Sequence, residues 1–202
     1  MAAPHPGRLD IWWRHKATDP CLHAILEAYR RNGEPAVRLV RDGWGKLRAA
    51  DQALSFSLSH GEAFSVYVVA DGAEVGVDCE AVRPHPDLGM VAELCFCAIE
   101  RACLARAAAR DFLPLFYALW TRKEALAKAL GLGLSGSLAS FDATSDDFRR
   151  PSPVTVPAHG TYWLTSIPAP PGYAAACASR HPFTTTNRTP DGLVGPPGFP
   201  SW

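Results

Sequence analysis

Gly76-Val77-Asp78-Cys79-Glu80 closes an apolar run that begins at Val75, so it reads as the end of a β-strand. Side chains alternate faces along a strand, which puts Asp78 and Glu80 on one side and Cys79 on the other. Two carboxylates held that close repel unless a cation or a proton sits between them. A third carboxylate lies in Trp120-Thr121-Arg122-Lys123-Glu124-Ala125-Leu126-Ala127-Lys128, which is helical in pattern. There Trp120, Glu124 and Lys128 follow at i, i+4 spacing and form a ridge. An acid pair, a helical Glu and a helical Lys are the parts that hold a hard divalent cation against a phosphate.

Working outward, Leu54 to Gly61 alternates with Leu54, Phe56 and Leu58 on its core face. Phe64–Val69 gives a second strand, Asp71-Gly72 a turn and Val75–Glu80 a third, which together read as a β-meander. Upstream, Asp10-Ile11-Trp12 suits an opening strand. Leu22, Ile25, Leu26 and Tyr29 place a helix over 21–31, stopped by Asn32-Gly33 and followed by a turn-rich stretch around Trp44-Gly45-Lys46. Downstream, residues 88–110 are Ala- and Leu-rich and helical in pattern. Over Leu115–Leu130 the leucines at 115, 119, 126 and 130 fall within roughly 60° of one another. Trp120, Glu124 and Lys128 fall on the far side, free of that helix's own core stripe, and Gly131 and Gly133 end the helix. Short strands are expected at 138–141, 154–156, 162–167 and 173–178. Residues 180–202 are proline-rich and read as a disordered tail.

At 202 residues with 48% hydrophobic content, the chain can bury a real core. Its 20 basic and 20 acidic residues balance, which argues against a general affinity for nucleic acid. No apolar run reaches membrane-spanning length and the first twenty residues lack a signal-peptide core, so a cytoplasmic location without membrane attachment is expected. None of the six cysteines forms a Cys-x-x-Cys pair. They read as small buried apolar residues rather than a zinc site.

Taken singly, each motif has a plain reading. Asp78 and Glu80 suit a solvated strand end. Glu124 and Lys128 suit an exposed ion pair worth about 0.3–0.5 kcal/mol. Glu100 suits a helix-start capping box in which Cys97 stands where Ser is usual. His60 suits a turn residue, Lys46 a surface lysine and Trp120 a core side chain.

The ordered set resembles the 4′-phosphopantetheinyl transferase superfamily, Sfp-like class. Gly45-Lys46 resembles its Gly-Lys-Pro turn, without the proline. Ser57-Leu58-Ser59-His60 resembles Asn-x-Ser-His, and Gly76 to Glu80 resembles Gly-(Ile/Val)-Asp-x-Glu. Phe96-Cys97-Ala98-Ile99-Glu100 resembles Phe-Ser-x-x-Glu. Trp120 to Lys128 matches Trp-(Ser/Thr)-x-Lys-Glu-Ala-x-x-Lys, with Gly-x-Gly-Leu following at 131–134. The resemblance implies an α+β fold of two pseudo-symmetric lobes: a shortened N-terminal lobe at 1–73 and a C-terminal lobe at 74–179 carrying the metal and catalytic motifs. It implies transfer of 4′-phosphopantetheine from coenzyme A to a serine of an acyl or peptidyl carrier protein, with release of adenosine 3′,5′-bisphosphate. By the same resemblance, Asp78, Glu80 and Glu124 ligate Mg²⁺. Glu124 is the favoured general base, with a water relay or Glu100 as alternatives, and Lys128 neutralises phosphate charge. Lys46, Ser59, His60, Lys123 and Lys128 meet the coenzyme. The short first lobe lacks an insert that in the family grips the coenzyme's 3′-phosphate. The alternative reading is therefore a degenerate member that binds coenzyme A or a carrier protein without efficient turnover.

Overall fold

Gly76 is where the fold is pinned together. A Cβ at this position would stand 1.9 Å from the carbonyl oxygen of Ala125 and 2.5 Å from the amide nitrogen of Ala129. No side chain fits there, so a helix backbone lies directly on a strand backbone. The computed structural model describes residues 6–16, 21–30, 33, 35–43, 45–50, 54–131 and 138–188. The expected Gly-x-Gly-Leu turn past Gly131, Trp44, Asn32 and the tail from 189 onward fall outside them.

The elements follow the order β1 (Arg8–His15), α1 (Cys21–Glu27), β2 (Leu39–Arg41), β3 (Leu47–Ala49), β4 (Leu54–His60), β5 (Phe64–Asp71) and β6 (Val75–Ala81). Then come α2 (Leu88–Cys95), α3 (Ala98–Arg106), α4 (Ala109–Leu130) and a one-turn 3₁₀ helix at Leu138–Ser140. Strands β7 (Ser152–Val156), β8 (Gly160–Ser166), β9 (Tyr173–Ser179) and β10 (Thr184–Arg188) are the last of the described elements. Two four-stranded sheets have the orders β10-β1-β5-β4 and β6-β9-β8-β7, and β2-β3 is a separate hairpin. This is the expected mixed α+β architecture.

Each sheet has a helix on its outer face. Leu22, Ile25 and Leu26 of α1 pack with Trp12, Phe56, Tyr67 and Val69 of the first sheet. Leu126 and Ala129 of α4 pack with Val154, Leu164, Ala176 and Ala178 of the second. The inner faces share a third cluster, in which Ile11, Val66 and Val68 meet Val77, Cys79 and Cys177. Burying each such side chain contributes about 1.5–3 kcal/mol relative to exposure.

Four sequence expectations need correction. The meander breaks after its second strand: β4 pairs with β5, but β6 pairs with β9 in the other sheet. Gly72, at φ +64°, turns the chain across, and the Val77 amide donates to the Ser57 Oγ (3.2 Å) rather than to a ladder carbonyl. The single helix expected over 88–110 is interrupted twice, because Phe96 and Cys97, then Ala107 and Ala108, are extended. Neither break carries a Pro or Gly signal; the first is held by Glu100 accepting the Cys97 amide at 2.7 Å. Leu138–Ser140 is a 3₁₀ turn and not a strand, since the Leu138 and Phe141 carbonyls turn inward onto the Lys123 ammonium (2.7 and 2.8 Å).

The fourth concerns the segment assigned to a disordered tail. Thr184–Arg188 is a strand parallel to β1. Its Thr-Thr-Thr-Asn-Arg run has no apolar alternation to show this. Its Arg188 Nε lies 3.1 Å from the fully buried Asp10 carboxylate, which Arg8 flanks at 3.2 Å and which accepts the Tyr29 hydroxyl at 3.0 Å. Of the described cysteines, Cys79 and Cys177 are buried, while Cys95, Cys97 and Cys103 are partly exposed.

Replacing Gly76 with Ala overpacks a backbone-to-backbone contact that cannot yield. It should cost about 3 kcal/mol or more, the upper end for overpacked sites. Chemical denaturation of the two proteins measures it, and a loss below about 1 kcal/mol would show that α4 can move off the strand freely.

Candidate active site

The close seat of α4 on β6 sets what faces what. Glu124 precedes the contact residue Ala125, and Lys128 precedes the other, Ala129, so both side chains reach the strand segment that carries Asp78. The Lys128 ammonium lies 2.8 Å from Asp78 Oδ1 and donates to the Val77 carbonyl at 3.1 Å. The Ser59 hydroxyl on β4 donates to the same Asp78 Oδ1 at 2.8 Å. The other oxygen, Oδ2, is buried with no hydrogen-bond partner among the described residues, and so is Glu124 Oε1. Buried polar atoms are almost always satisfied, so two orphaned carboxylate oxygens at one site point to something that belongs between them.

Charge tells the same story. Glu124 is only 9% exposed, and its pKa is raised from 4.5 to about 7 by burial, then by the Asp78 and Glu80 charges, with Lys128 opposing. Burial and Asp78 also raise Glu80, while Lys128 and a hydrogen bond from the Trp120 side chain oppose. Three acids thus press on one another around a single lysine. Oxygen donors carrying surplus negative charge fit a hard cation such as Mg²⁺.

Three oxygens bound to one Mg²⁺ lie within roughly 4.2 Å of one another. Among the described residues, only Cys97, Glu100 and Asp142 bring three ligand-type atoms within 4.8 Å of one another. The ligand oxygens of Asp78, Glu80 and Glu124 therefore stand farther apart than that. The tighter trio is a structural network: Glu100 accepts the Cys97 amide, the Ala143 amide (2.8 Å) and the Lys123 ammonium (2.8 Å).

That network removes two expected participants from the site. Lys123 is fully buried, and its three donors are spent on Glu100, Leu138 and Phe141, so none remains for a coenzyme. Glu100 is fully buried too, and both its oxygens accept hydrogen bonds within this network. Glu124 lies off the leucine stripe of its helix, facing the strand acids, and is nonetheless buried. Thr121 to Ala127 are all buried; the 138–148 segment covers Arg122 and Lys123, and the Arg122 guanidinium holds it through the Ala143 carbonyl (2.7 Å).

On the far side of Lys128 opens a cleft of about 900 Å³, which the three carboxylates themselves do not line. Arg41, Gly45 and Lys46 of the hairpin, Phe56, Leu58 and His60 of β4, Lys128 and Gly131 line it, with Leu22 and His23 at one end. His60 is exposed at the rim, with Nδ1 2.9 Å from the Ser65 hydroxyl. Ser59 is buried against Asp78, so it braces an acid and does not face the cleft. Two participants were not foreseen from sequence, Arg41 and Ser57. The β2–β3 strands are three residues each, too short for alternation to mark Arg41. Ser57 shares the Ser59 face of β4, and that spacing of two was the available signal.

A model of the 4′-phosphopantetheinyl transferase superfamily matches residues 74–178, the span from β6 through β9 that carries all three acids. The chain belongs to the 4′-phosphopantetheinyl transferase superfamily. It is 29% identical to the 4′-phosphopantetheinyl transferase AcpT of Escherichia coli (strain K12), over 82% of this chain and 87% of that protein. It is 33% identical to the 4′-phosphopantetheinyl transferase ffp of Bacillus subtilis, over 79% of this chain and 70% of that one. With psf-1 of Bacillus pumilus the identity is 34%, over 60% and 46%. Phosphopantetheinyl transfer is the reaction of this class of enzyme. The superfamily match begins just before β6, so the hairpin and the β4 side of the cleft lie outside it.

Glu124 also makes stability depend on pH. A carboxyl whose pKa is higher in the folded state stabilises fully below its unfolded value, and that contribution is lost as pH rises through the folded value. Metal-free protein should therefore lose stability relative to Glu124→Gln between pH 4.5 and about 7. Thermal midpoints of both proteins across that range test this, and parallel curves would contradict it.

Proposed function

We propose that this chain transfers 4′-phosphopantetheine from coenzyme A to a serine hydroxyl of an acyl or peptidyl carrier protein in the cytoplasm, with Mg²⁺, releasing adenosine 3′,5′-bisphosphate. The observation that carries the reading is the pair of buried oxygens, Asp78 Oδ2 and Glu124 Oε1, with no partner among the described residues, near Lys128, which lines the cleft. The proposal treats 1–73 and 74–179 as the two lobes that flank this cleft.

In the transfer, the serine oxygen forms a bond to the β-phosphorus of the coenzyme's pyrophosphate while the bridging P–O bond breaks. The serine proton leaves to a base, and the nucleotide departs with the bridging oxygen. Such a reaction is mainly a matter of position and charge. Asp78, Glu80 and Glu124 would hold Mg²⁺, which when bound would supply charge neutralisation on the pyrophosphate. Lys128 adds a cation one helical turn from Glu124, and its bond to Asp78 keeps both in register. A cation beside Glu124 would lower its pKa from the metal-free value, so Glu124 would take the serine proton through a water relay rather than rely on its own raised pKa. His60 and Arg41 line the cleft where the coenzyme's phosphates would enter. Its apolar wall of Leu39, Leu47, Phe56 and Leu58 suits a stacked base.

Incubation with coenzyme A, Mg²⁺ and a panel of apo carrier domains, followed by mass spectrometry, should show the carrier gaining one phosphopantetheine. Asp78→Asn should reduce the rate about 10²-fold or more, on the scale of losing one preorganised electrostatic group. Ser59→Ala, which removes only a brace, should cost about tenfold. No mass gain on any carrier would favour a degenerate binder, and Ser59→Ala proving worse than Asp78→Asn would overturn the residue roles.

A further inference from the structure

Strand β6 carries Asp78 and Glu80, yet it is an edge strand: β9 pairs with it on one side and, among the described residues, no ladder covers the other. Open edges leave alternate main-chain groups without partners. Here side chains satisfy them. Ser57 takes the Val77 amide at 3.2 Å and Lys128 takes the Val77 carbonyl at 3.1 Å. Lys46 takes the Val75 carbonyl at 3.3 Å. The Lys46 ammonium makes a second and shorter bond, 2.6 Å, to the main-chain carbonyl of Lys128 in the last turn of α4.

Lys46 therefore ties three elements at one atom. It arrives on the β2–β3 hairpin, where its own amide donates to Asp42 Oδ1 (3.0 Å) and its carbonyl accepts the Asp42 amide (2.9 Å). From there it reaches the edge of β6 and the C-terminal end of α4. That end carries partial negative charge on its unpaired carbonyls, which a cation satisfies. The residue so capped is Lys128, whose own ammonium fixes Asp78. An ammonium has three donors. Two are committed to main-chain carbonyls, so at most one faces the cleft that Lys46 also lines.

We propose that Lys46 is a positioning residue for the transfer reaction, acting through the main chain of Lys128 and the edge of β6 rather than chiefly as a phosphate ligand. The proposal rests on the function given above, since it names the reaction whose geometry Lys46 holds. A phosphate-binding lysine serves ground and transition states alike, so its loss raises KM for coenzyme A and spares kcat. A clasp that aligns Lys128 with Asp78 acts on the reacting arrangement, so its loss lowers kcat.

The test uses the full chain with Lys46→Met, which keeps the stem and removes all donors, and Lys46→Gln, which keeps an amide donor. In Lys46→Met, kcat should fall about 10- to 100-fold, as for loss of an outer contact to a metal site. KM for coenzyme A should change less than about threefold, and the Mg²⁺ concentration for half-activation should rise. In metal-free protein without coenzyme, hydrogen exchange of the Gly131 and Val77 amides should accelerate in Lys46→Met and less in Lys46→Gln. If Lys46→Met does not fold, the same exchange and kinetic measurements on Lys46→Gln decide the point. A rise in KM with kcat and amide exchange unchanged would overturn the proposal and assign Lys46 to phosphate binding. Absence of transfer by the wild-type chain would instead defeat the functional reading, while the exchange data would still report on the clasp.

Discussion

The contact between the backbone of α4 and the backbone of β6 at Gly76 is the constraint on which the site depends. A helix seated on a sheet through side chains stands off by their thickness. Here the missing Cβ lets Ala125 and Ala129 approach until a methyl group has no room. The neighbours of that contact along the two chains are Asp78 on the strand and Glu124 and Lys128 on the helix. Two segments 46 or more residues apart in sequence thus deliver acidic and basic groups to one place, and the small residues at the contact are what permit it.

Holding three carboxylates near one lysine costs free energy in the metal-free protein. The cost is visible as the raised pKa of Glu124 and Glu80 and as oxygens without partners. The rest of the fold carries it. Glu100, Lys123 and Arg122 form buried networks that hold the 138–148 segment over α4, and Ser57 and Ser59 close the seam between the two sheets. Truncating one partner of such a buried charge pair costs about 3–5 kcal/mol, so these polar groups are not free to drift toward a ligand. A site strained in this way favours a cation over water, because the cation removes the repulsion.

Much of this was legible from residues. The β4, β5 and β6 segments were marked by alternation, the second half of α4 by its leucine stripe, and the acids by their spacing. What the sequence concealed was sidedness and neighbours. The leucine stripe shows which face of α4 is apolar, but not that Arg122 and Lys123 beside it are buried under 138–148, nor that Glu124 on the far side is buried against the strand acids. Lys123 and Glu124 are adjacent letters of one motif, yet the turn of a helix sends one into a closed network and the other toward the strand acids. Glu100 looked ambiguous between capping and chemistry, and only its three donors decide for the former. Strand β10 escaped notice because charge on Asp10, and not an apolar pattern, draws it beside β1.

The central claim is that α4 and β6 converge so that Asp78 and Glu124 share one cation. Crystals of the full chain grown with Mn²⁺, with its position fixed by anomalous scattering, test this most directly. The account predicts one strong peak within bonding distance of oxygens from both Asp78 and Glu124. A peak bound by only one of them, or found instead at Cys97, Glu100 and Asp142, would contradict it.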